Sequence, residues 1–369
     1  MSTQSAFVDL VQSRIDEVMR AGHTDVSAIG RDAESLSAVG ASLVKGGKRF
    51  RARLAYWGWR AAITYGDPAV DADTHPQADL VASLAAGLEL FHAAALVHDD
   101  IIDNSDTRRG TPAAHRQFET LHTDRNFVGD AANYGRSSAI LLGDLLLAWA
   151  DDQFLTVGIA LGDDRNNEFR AELRTMRTDV TAGQFLDNHD SSAWQTISDD
   201  VAVERAQRVV LYKSAKYSVE APLALGAIVG GASPELVGAL RSFALPLGFA
   251  FQMRDDLLGV FGDTEVTGKP AGDDLREGKR TVLLAMARRN ADRSTVTLLD
   301  ELVGDPNLSD EQIAMLRATL TGTGADDAIE DLIVRSRERS LSALDELGLD
   351  AAVDRELRGL VDAVTNRAV

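Results

Sequence analysis

The stretch that decides the fold runs from His98 to Gly110 and reads His-Asp-Asp-Ile-Ile-Asp-Asn-Ser-Asp-Thr-Arg-Arg-Gly. It follows an apolar run, Leu80 to Val97, whose length and composition are typical of a buried helix. If this helix continues through Asp103, the carboxylates of Asp99 and Asp103 lie one turn apart on one face. Like charges at that spacing repel each other, so the pattern predicts either counter-charges or a bound cation nearby.

Two interpretations of this stretch follow. In the simpler one, Arg108 and Arg109 are the counter-charges of a solvated acidic helix end. In the other, the carboxylates bind Mg²⁺, which proteins usually hold through one or two carboxylates together with waters and substrate phosphates. The arginines would then bind the same phosphates through planar guanidinium groups with several donors.

A second acidic pair favours the metal site. Asp255-Asp256 lies within the segment Gln252 to Asp263 and follows another apolar helical run, Phe243 to Phe251. Two acidic pairs at the ends of apolar helices predict two walls of one cavity, with a polyphosphate held between them by Mg²⁺. Gly248, four residues before Gln252, leaves space on the same helix face.

Basic stretches supply candidate anion-binding groups. Gly46 to Arg53 contains four basic residues at the predicted start of a helix, where the helix dipole also attracts anions. Lys269 and Lys279 lie in a Gly-rich segment that permits close approach to a phosphate. The simpler interpretation of each stretch is a solvated basic patch, and a helical lysine such as Lys213 usually extends to the surface.

Composition limits the classes of fold and function. The chain of 369 residues is 45% hydrophobic and 6% aromatic, and its Ala, Leu and Val content favours helices over strands. The absence of cysteine excludes disulfides and thiolate metal sites and fits a reducing cytosol. A net charge of −19 argues against a nucleic-acid partner. Leu80 to Val97 contains Glu89 and His92, which favours an interior helix over a membrane span. No segment shows the alternating pattern of a strand, so we expect one cytoplasmic all-α domain over residues 1–369.

Together these motifs resemble those of the trans-type isoprenyl diphosphate synthases, or polyprenyl synthetases. The resemblance covers most of the chain, from about Ala41 to the C-terminal helices. The first aspartate-rich motif of the family resembles Asp99 to Asp103, and its second resembles the segment that begins at Gln252. Arg108-Arg109-Gly110 resembles an Arg-Arg-Gly element of the family, and the segment Gly46–Arg51 resembles its Gly-Gly-Lys-Arg-x-Arg element. Lys213-Ser214 stands where the family often has Lys-Thr, and Lys269 with Lys279 resembles a lysine pair of the family.

The resemblance implies a fold and a role for each matching residue. The fold is a single-domain bundle of antiparallel helices around a deep central cavity, and the family is homodimeric. Three Mg²⁺ ions per active site would be bound by Asp99, Asp103 and Asp255, with Asp100 and Asp256 acting through water. Isopentenyl diphosphate would contact Lys48, Arg51, His92 and Arg109. The allylic diphosphate would contact Arg108, Lys213, Ser214, Gln252, Lys269 and Lys279.

The implied reaction is a Mg²⁺-dependent condensation of isopentenyl diphosphate with dimethylallyl, geranyl or farnesyl diphosphate. It gives an all-trans polyprenyl diphosphate and releases diphosphate. Gly259 departs from the resemblance, because the second motif often ends in aspartate there, and Asp263 is a candidate replacement. The same segment has the spacing of a class I terpene cyclase motif, so a cyclase remains an alternative. A cyclase needs only one diphosphate site, whereas the basic stretches predict two.

Product length follows from the geometry of the helix before Asp99. Ala95 and Ala94 precede Asp99 by four and five residues, about one turn or ~5.4 Å. Their small side chains leave room for a growing prenyl chain, and Phe91, about two turns down, is the candidate floor. This predicts geranylgeranyl diphosphate, C20. If Phe91 instead packs against a neighbouring helix, the floor lies elsewhere and a longer-chain synthase is the alternative.

Overall fold

Helices account for most of the computed structural model, which describes residues 3–67, 70–71, 74–262 and 272–366. The all-α prediction is confirmed. The helices are α1 (Thr3–Ile29), α2 (Glu34–Leu43), α3 (Phe50–Thr64), α4 (Ala78–Ile102), α5 (Ala114–Asp124), α6 (Ala131–Leu161), α7 (Asp163–Ala193), α8 (Asp199–Val209), a π-helix (Val210–Glu220), α9 (Ala221–Gly230), α10 (Pro234–Phe261), α11 (Asp273–Glu277), α12 (Val282–Asn290), α13 (Arg293–Leu302), α14 (Asp310–Gly322), α15 (Ala325–Asp345) and α16 (Ala351–Thr365).

The part of the chain that the structure describes contains one pair of short strands. Thr107–Arg108 (β1) pairs antiparallel with Thr111–Pro112 (β2) in a minimal hairpin. Its two turn residues, Arg109 and Gly110, both have positive φ, 54° and 74°, as the tight turns of two-residue hairpins require. A strand of two residues is too short to show an alternation of apolar and polar residues, so nothing in the sequence indicated this hairpin.

The chain divides into two compact units. The first comprises residues 1–173 and 222–237, and α4 is its central helix, packed against α1, α3, α5 and α6. Two glycines bring α3 and α9 into backbone contact. A Cβ on Gly226 would lie 1.9 Å from the Ala55 carbonyl oxygen, and one on Gly58 would lie 2.0 Å from that of Leu223. Only glycine permits this approach, so both positions exclude any side chain.

The second unit comprises residues 174–221 and 238–369. Within it, α12 packs against α8, α14 and α15, and its residues Val282 to Ala287 are all buried. Arg254 of α10 is buried and donates two hydrogen bonds to Glu330 of α15, at 2.5 and 2.7 Å. This ion pair fixes α10, and with it the second aspartate pair, to the C-terminal helices.

Two helices, Ala78–Ile102 and Pro234–Phe261, are long and apolar enough to cross a membrane by length and composition. In the most apolar window of the first, 78% of the residues are buried within the protein. A core helix passes the same test of length and composition, so this is weak evidence for a membrane span. The burial agrees with the prediction that Leu80 to Val97 is an interior helix.

Candidate active site

The first aspartate motif lies at the C-terminal end of α4. The helix ends at Ile102, and Asp103 caps it by donating its backbone N–H to the Asp99 carbonyl oxygen at 2.8 Å. Helical spacing therefore holds between Asp99 and Asp103, as predicted, and both side chains are partly exposed. Two hard oxygen donors on one helix face are suitable ligands for Mg²⁺.

Arg108 of the hairpin connects to this motif. Its Nε donates to Oδ1 of Asp100 at 2.8 Å, and its Nη2 lies 3.5 Å from Oδ2 of Asp99. Asp100 is 2% exposed, so its charge is compensated by Arg108 and not by water. Asp100 thus holds the guanidinium of Arg108 beside Asp99.

The sequence did not reveal the role of Arg49, the one basic residue of its motif that is buried. Its Nη1 donates to Oε2 of buried Glu89 in α4 at 3.2 Å, and its Nη2 donates to the Val44 carbonyl oxygen at 2.5 Å. Oε1 of Glu89 accepts the backbone N–H of Ala52 at 3.2 Å. This network ties the start of α3, and so the neighbouring Lys48 and Arg51, to α4. The charged Glu89 within the apolar run was the only sign of it in the sequence.

His92 lies within a group of arginines. Burial lowers the pKa of its imidazole well below the usual value, and the charges of Arg51, Arg109, Arg108 and Arg49 lower it further. The ring is therefore neutral at pH 7. A neutral imidazole can donate one hydrogen bond to a phosphate oxygen while the surrounding arginines supply the positive charge.

The remaining residues predicted to bind isopentenyl diphosphate adjoin this group. A Cβ on Gly47 would lie 3.1 Å from Nη1 of Arg109, so glycine leaves the space that this guanidinium uses. Lys48 is exposed in the loop before α3, and Arg51 is partly buried in the first turn of α3. The structure thus brings Arg51, His92 and Arg109 together in the first unit, with Lys48 in the adjoining loop.

In the second unit, the two aspartates of α10 have different environments. Asp255 is exposed, whereas Asp256 is buried and accepts a hydrogen bond from Nε2 of Gln252 at 2.7 Å. Burial raises the pKa of Asp256 well above its usual value, and the nearby charges of Asp274 and Asp255 act in the same direction. Asp255 is accordingly the accessible carboxylate of the pair, and Asp256 orients Gln252.

Lys213 and Ser214 lie on the π-helix, which packs between α7 and α10. Nζ of Lys213 donates to Asp187 at 2.5 Å, and Nζ of Lys216 donates to Asp179 at the same distance. A Cβ on Gly183 of α7 would lie 2.4 Å from the backbone nitrogen of Lys213. A Cβ on Gly248 of α10 would lie 2.7 Å from the Cα atom of Ala215. Gly248 therefore does leave space, and the π-helix backbone fills it.

We expect Gly248→Ala to lower the midpoint of thermal unfolding and to impair activity, because the added methyl group displaces the π-helix that carries Lys213. Overpacking of this kind costs about 1–3 kcal/mol. Gly238→Ala on the same helix is the matched control, because nothing lies within 4 Å of its Cβ position. That variant should be stabilised by up to about 1 kcal/mol through helix propensity. Equal shifts in the two variants, measured by calorimetry, would contradict the close approach.

Of the two lysines predicted to contact the allylic diphosphate from the Gly-rich segment, the structure describes Lys279. Nζ of Lys279 lies 3.3 Å from Oδ1 of Asp274 and 2.7 Å from Oε2 of Glu277, and its side chain is mostly buried. Lys269 and Asp263 lie outside the described residues. Their predicted roles, an allylic diphosphate contact and a replacement carboxylate, therefore stay predictions.

Comparison with known proteins identifies the family. The family model described as polyprenyl synthetase matches residues 33–320. The chain belongs to the polyprenyl synthetase family. A crystal structure of a geranylgeranyl pyrophosphate synthase from Corynebacterium glutamicum, complexed with isoprenyl diphosphate and magnesium, is 39% identical. It superposes with a TM-score of 0.89 over 98% of this chain and 99% of that one.

Curated relatives of this polyprenyl synthetase point to the same class. A short chain isoprenyl diphosphate synthase of Methanocaldococcus jannaschii is 30% identical over 82% of this chain and 79% of its own length. A geranylfarnesyl diphosphate synthase of Aeropyrum pernix is 32% identical over 78% of this chain and 81% of its own length. The protein is therefore a prenyltransferase, of a family that uses a divalent metal.

Proposed function

We propose that this prenyltransferase condenses isopentenyl diphosphate with an allylic diphosphate, in a Mg²⁺-dependent reaction, to give all-trans geranylgeranyl diphosphate. The allylic substrate is dimethylallyl, geranyl or farnesyl diphosphate, and diphosphate is released. We expect the enzyme to work in the cytoplasm, as the cysteine-free composition indicates.

The observation that carries this proposal is the presence of two separate sets of anion-binding groups. The first unit holds Arg51, His92 and Arg109 together, and the second unit carries Lys213 and Lys279 beside their carboxylates. One set per diphosphate suits a reaction of two diphosphate substrates. The C20 product is supported by the geranylgeranyl pyrophosphate synthase of Corynebacterium glutamicum at 39% identity.

The residues present fit Mg²⁺. Asp99, Asp103 and Asp255 are accessible carboxylates, and hard oxygen donors are what this ion prefers. In the part of the chain that the structure describes, no three acidic, histidine or cysteine side chains form a ready metal cage. Mg²⁺ at enzyme sites usually takes several of its ligands from water and substrate phosphates. We propose three ions per active site, bound by Asp99, Asp103 and Asp255, with Asp100 and Asp256 acting through water.

The mechanism needs no side-chain nucleophile. When bound, Mg²⁺ neutralises charge that develops on the departing diphosphate. Lys213, Lys279 and Arg108 stabilise the same charge through positioned donors, which favours ionisation of the allylic substrate. Arg51, Arg109 and neutral His92 hold isopentenyl diphosphate so that its double bond attacks the allylic cation. The new cation then loses a proton, which restores a double bond, and the released diphosphate is the proposed acceptor of that proton.

Incubation of the purified protein with isopentenyl diphosphate and each allylic primer tests the proposal. We expect chain-length analysis to give mainly C20, and no turnover without divalent metal. Release of a hydrocarbon from a single linear diphosphate would instead establish the cyclase. Mainly C25 or longer products would establish the longer-chain synthase.

Residues on α4 are proposed to set the product length. Ala95 is partly exposed, on the side of α4 that also carries His92 and Asp99, whereas Ala94 has no exposed surface and Phe91 is buried. We expect Ala95→Phe to shorten the product, because the ring would block the chain about one turn below the metals. Ala94→Phe should also shorten it, with some loss of stability from overpacking. Phe91→Ala should lengthen it. Unchanged products in all three would rule out α4 as the determinant.

We also propose that the enzyme is a homodimer formed through α6. Leu141, Leu155 and Ile159 lie along one side of this helix and are 57%, 62% and 73% exposed. A stripe of large apolar residues on a long helix is typical of a contact between subunits. Leu155→Asp with Ile159→Asp should give a monomer by analytical ultracentrifugation. Val334→Asp on α15, 51% exposed in the wild type, is the control that should keep the dimer. A dimeric double variant would exclude this face.

A further inference from the structure

Trp194 holds two arginines against the faces of its indole. It begins a 3₁₀-helix, Trp194–Thr196, directly after α7, and its side chain is buried. The Cζ atom of Arg280 lies 4.6 Å from the centroid of the ring, and that of Arg288 lies 4.8 Å from it. A cation over an indole is attracted by the electron density of the ring, most strongly where water is excluded. The indole thus holds the residue that directly follows Lys279.

The indole is itself fixed by charged side chains of the second unit. Its Nε1 donates to Oδ1 of Asp300 in α13 at 3.2 Å. Arg288 of α12 donates to the same carboxylate, and its Nε donates to Oδ1 of Asp199, at the start of α8, at 3.0 Å. Two carboxylates therefore neutralise Arg288. Trp194 is joined in this way to α8, α12 and α13, and it forms a firm support for Arg280.

Arg280 has different partners from those of its neighbour. Both residues lie in the short non-helical connection between α11 and α12. Nζ of Lys279 lies 2.7 Å from Oε2 of Glu277, whereas Nη2 of Arg280 donates to the Val303 carbonyl oxygen at 3.4 Å. Among the described residues, no acceptor binds Nε or Nη1 of Arg280, so the indole face stabilises that part of the cation. Burial lowers the pKa of Arg280 to about 10, and the group stays charged at pH 7.

We propose that Trp194 and Arg280 are positioning residues that hold Lys279 at the allylic diphosphate. A lysine side chain has many rotamers and loses much of that freedom when it binds a phosphate. Anchoring the next residue to the indole fixes the backbone of the connection and limits the volume that Nζ of Lys279 can reach. The inference rests on the proposed function, in which Lys279 contacts the allylic diphosphate, and extends it to the two side chains that support this lysine.

Steady-state kinetics of Arg280→Met and Trp194→Leu test the proposal. Each variant should raise KM for the allylic substrate by about three- to tenfold, part of the effect of losing a charged hydrogen bond outright. KM for isopentenyl diphosphate should stay close to that of the wild type. Arg289→Met, which removes an exposed arginine of α12, is the matched control and should leave both constants unchanged. Arg280→Met decides the matter if Trp194→Leu does not fold.

A double-mutant cycle with Lys279→Met separates action through the lysine from any other role. Lys279→Met should raise the allylic KM more than Arg280→Met does. Adding Arg280→Met to Lys279→Met should then change this KM by less than about twofold, because the residue that Arg280 positions is gone. The fall in the unfolding midpoint caused by Arg280→Met should persist in both backgrounds. Kinetic effects that multiply would mean that Arg280 binds the diphosphate itself or acts on the whole fold, and would overturn the proposal.

Trp194→Phe is the conservative variant. It keeps an aromatic face for both arginines and loses only the hydrogen bond to Asp300, so its allylic KM should lie within about twofold of the wild-type value. The same raised KM in the Phe and Leu variants would contradict a role for the ring. An allylic KM that Lys279→Met leaves unchanged would contradict the proposed role of Lys279. A KM raised in Lys279→Met, with wild-type values in Arg280→Met and Trp194→Leu, would contradict only the inference about the two supporting residues.

Discussion

Asp99→Asn is expected to lower kcat by about three orders of magnitude or more, while the protein stays folded. The change removes one charge from the i, i+4 carboxylate pair and keeps the shape of the side chain. Loss of metal-assisted charge stabilisation of about 4 kcal/mol or more corresponds to that factor in rate. Asp103→Asn should have a similar effect, because the two carboxylates act on one helix face.

The control for this prediction is Asp124→Asn, an exposed aspartate at the C-terminal end of α5. It should leave both kcat and the unfolding midpoint close to those of the wild type. Asp99 also lies 3.5 Å from Arg108, so thermal unfolding of Asp99→Asn must be measured beside its kinetics. A folded Asp99→Asn variant with near-native turnover in Mg²⁺ would show that this motif does not bind the metal.

Opposite effects on the two substrates are expected from Arg51→Ala and Lys213→Ala. Arg51→Ala should raise KM for isopentenyl diphosphate by about 10- to 100-fold and leave that for the allylic substrate nearly unchanged. Lys213→Ala should do the reverse. These factors correspond to about 1.5–3 kcal/mol for the loss of a hydrogen bond to a charged group. Steady-state kinetics with each substrate varied in turn measure both constants.

Lys216→Ala is the matched control for Lys213→Ala. Both lysines lie on the π-helix, and each donates to an α7 aspartate at 2.5 Å. If Lys213 binds the allylic diphosphate, only its variant should change that KM, whereas both should lose some stability. Equal kinetic effects in the two variants would mean that the ion pairs act structurally. A raised allylic KM in Arg51→Ala would show that the two sets of cations were assigned in the wrong order.

The sequence alone determined the all-α class, the family and most of the candidate site residues. It did so because these features are local. Helical periodicity is a matter of neighbours along the chain, and the two carboxylates of Asp99 and Asp103 share a face through the helix repeat alone. The basic residues before α3 and after α4 were recognisable in the same way, from residue type and spacing.

Tertiary structure alone decided which member of each motif is buried against other side chains and which stays accessible. Arg49 and Arg51 look alike in sequence, yet Arg49 is buried against Glu89, forty residues away, and Arg51 adjoins His92. Gly259 looks like a lost carboxylate in the sequence, but a Cβ at this position would lie 1.9 Å from Oδ2 of Asp274. Contacts between distant residues depend on how helices pack, and packing of whole helices is not encoded in any short stretch of the chain.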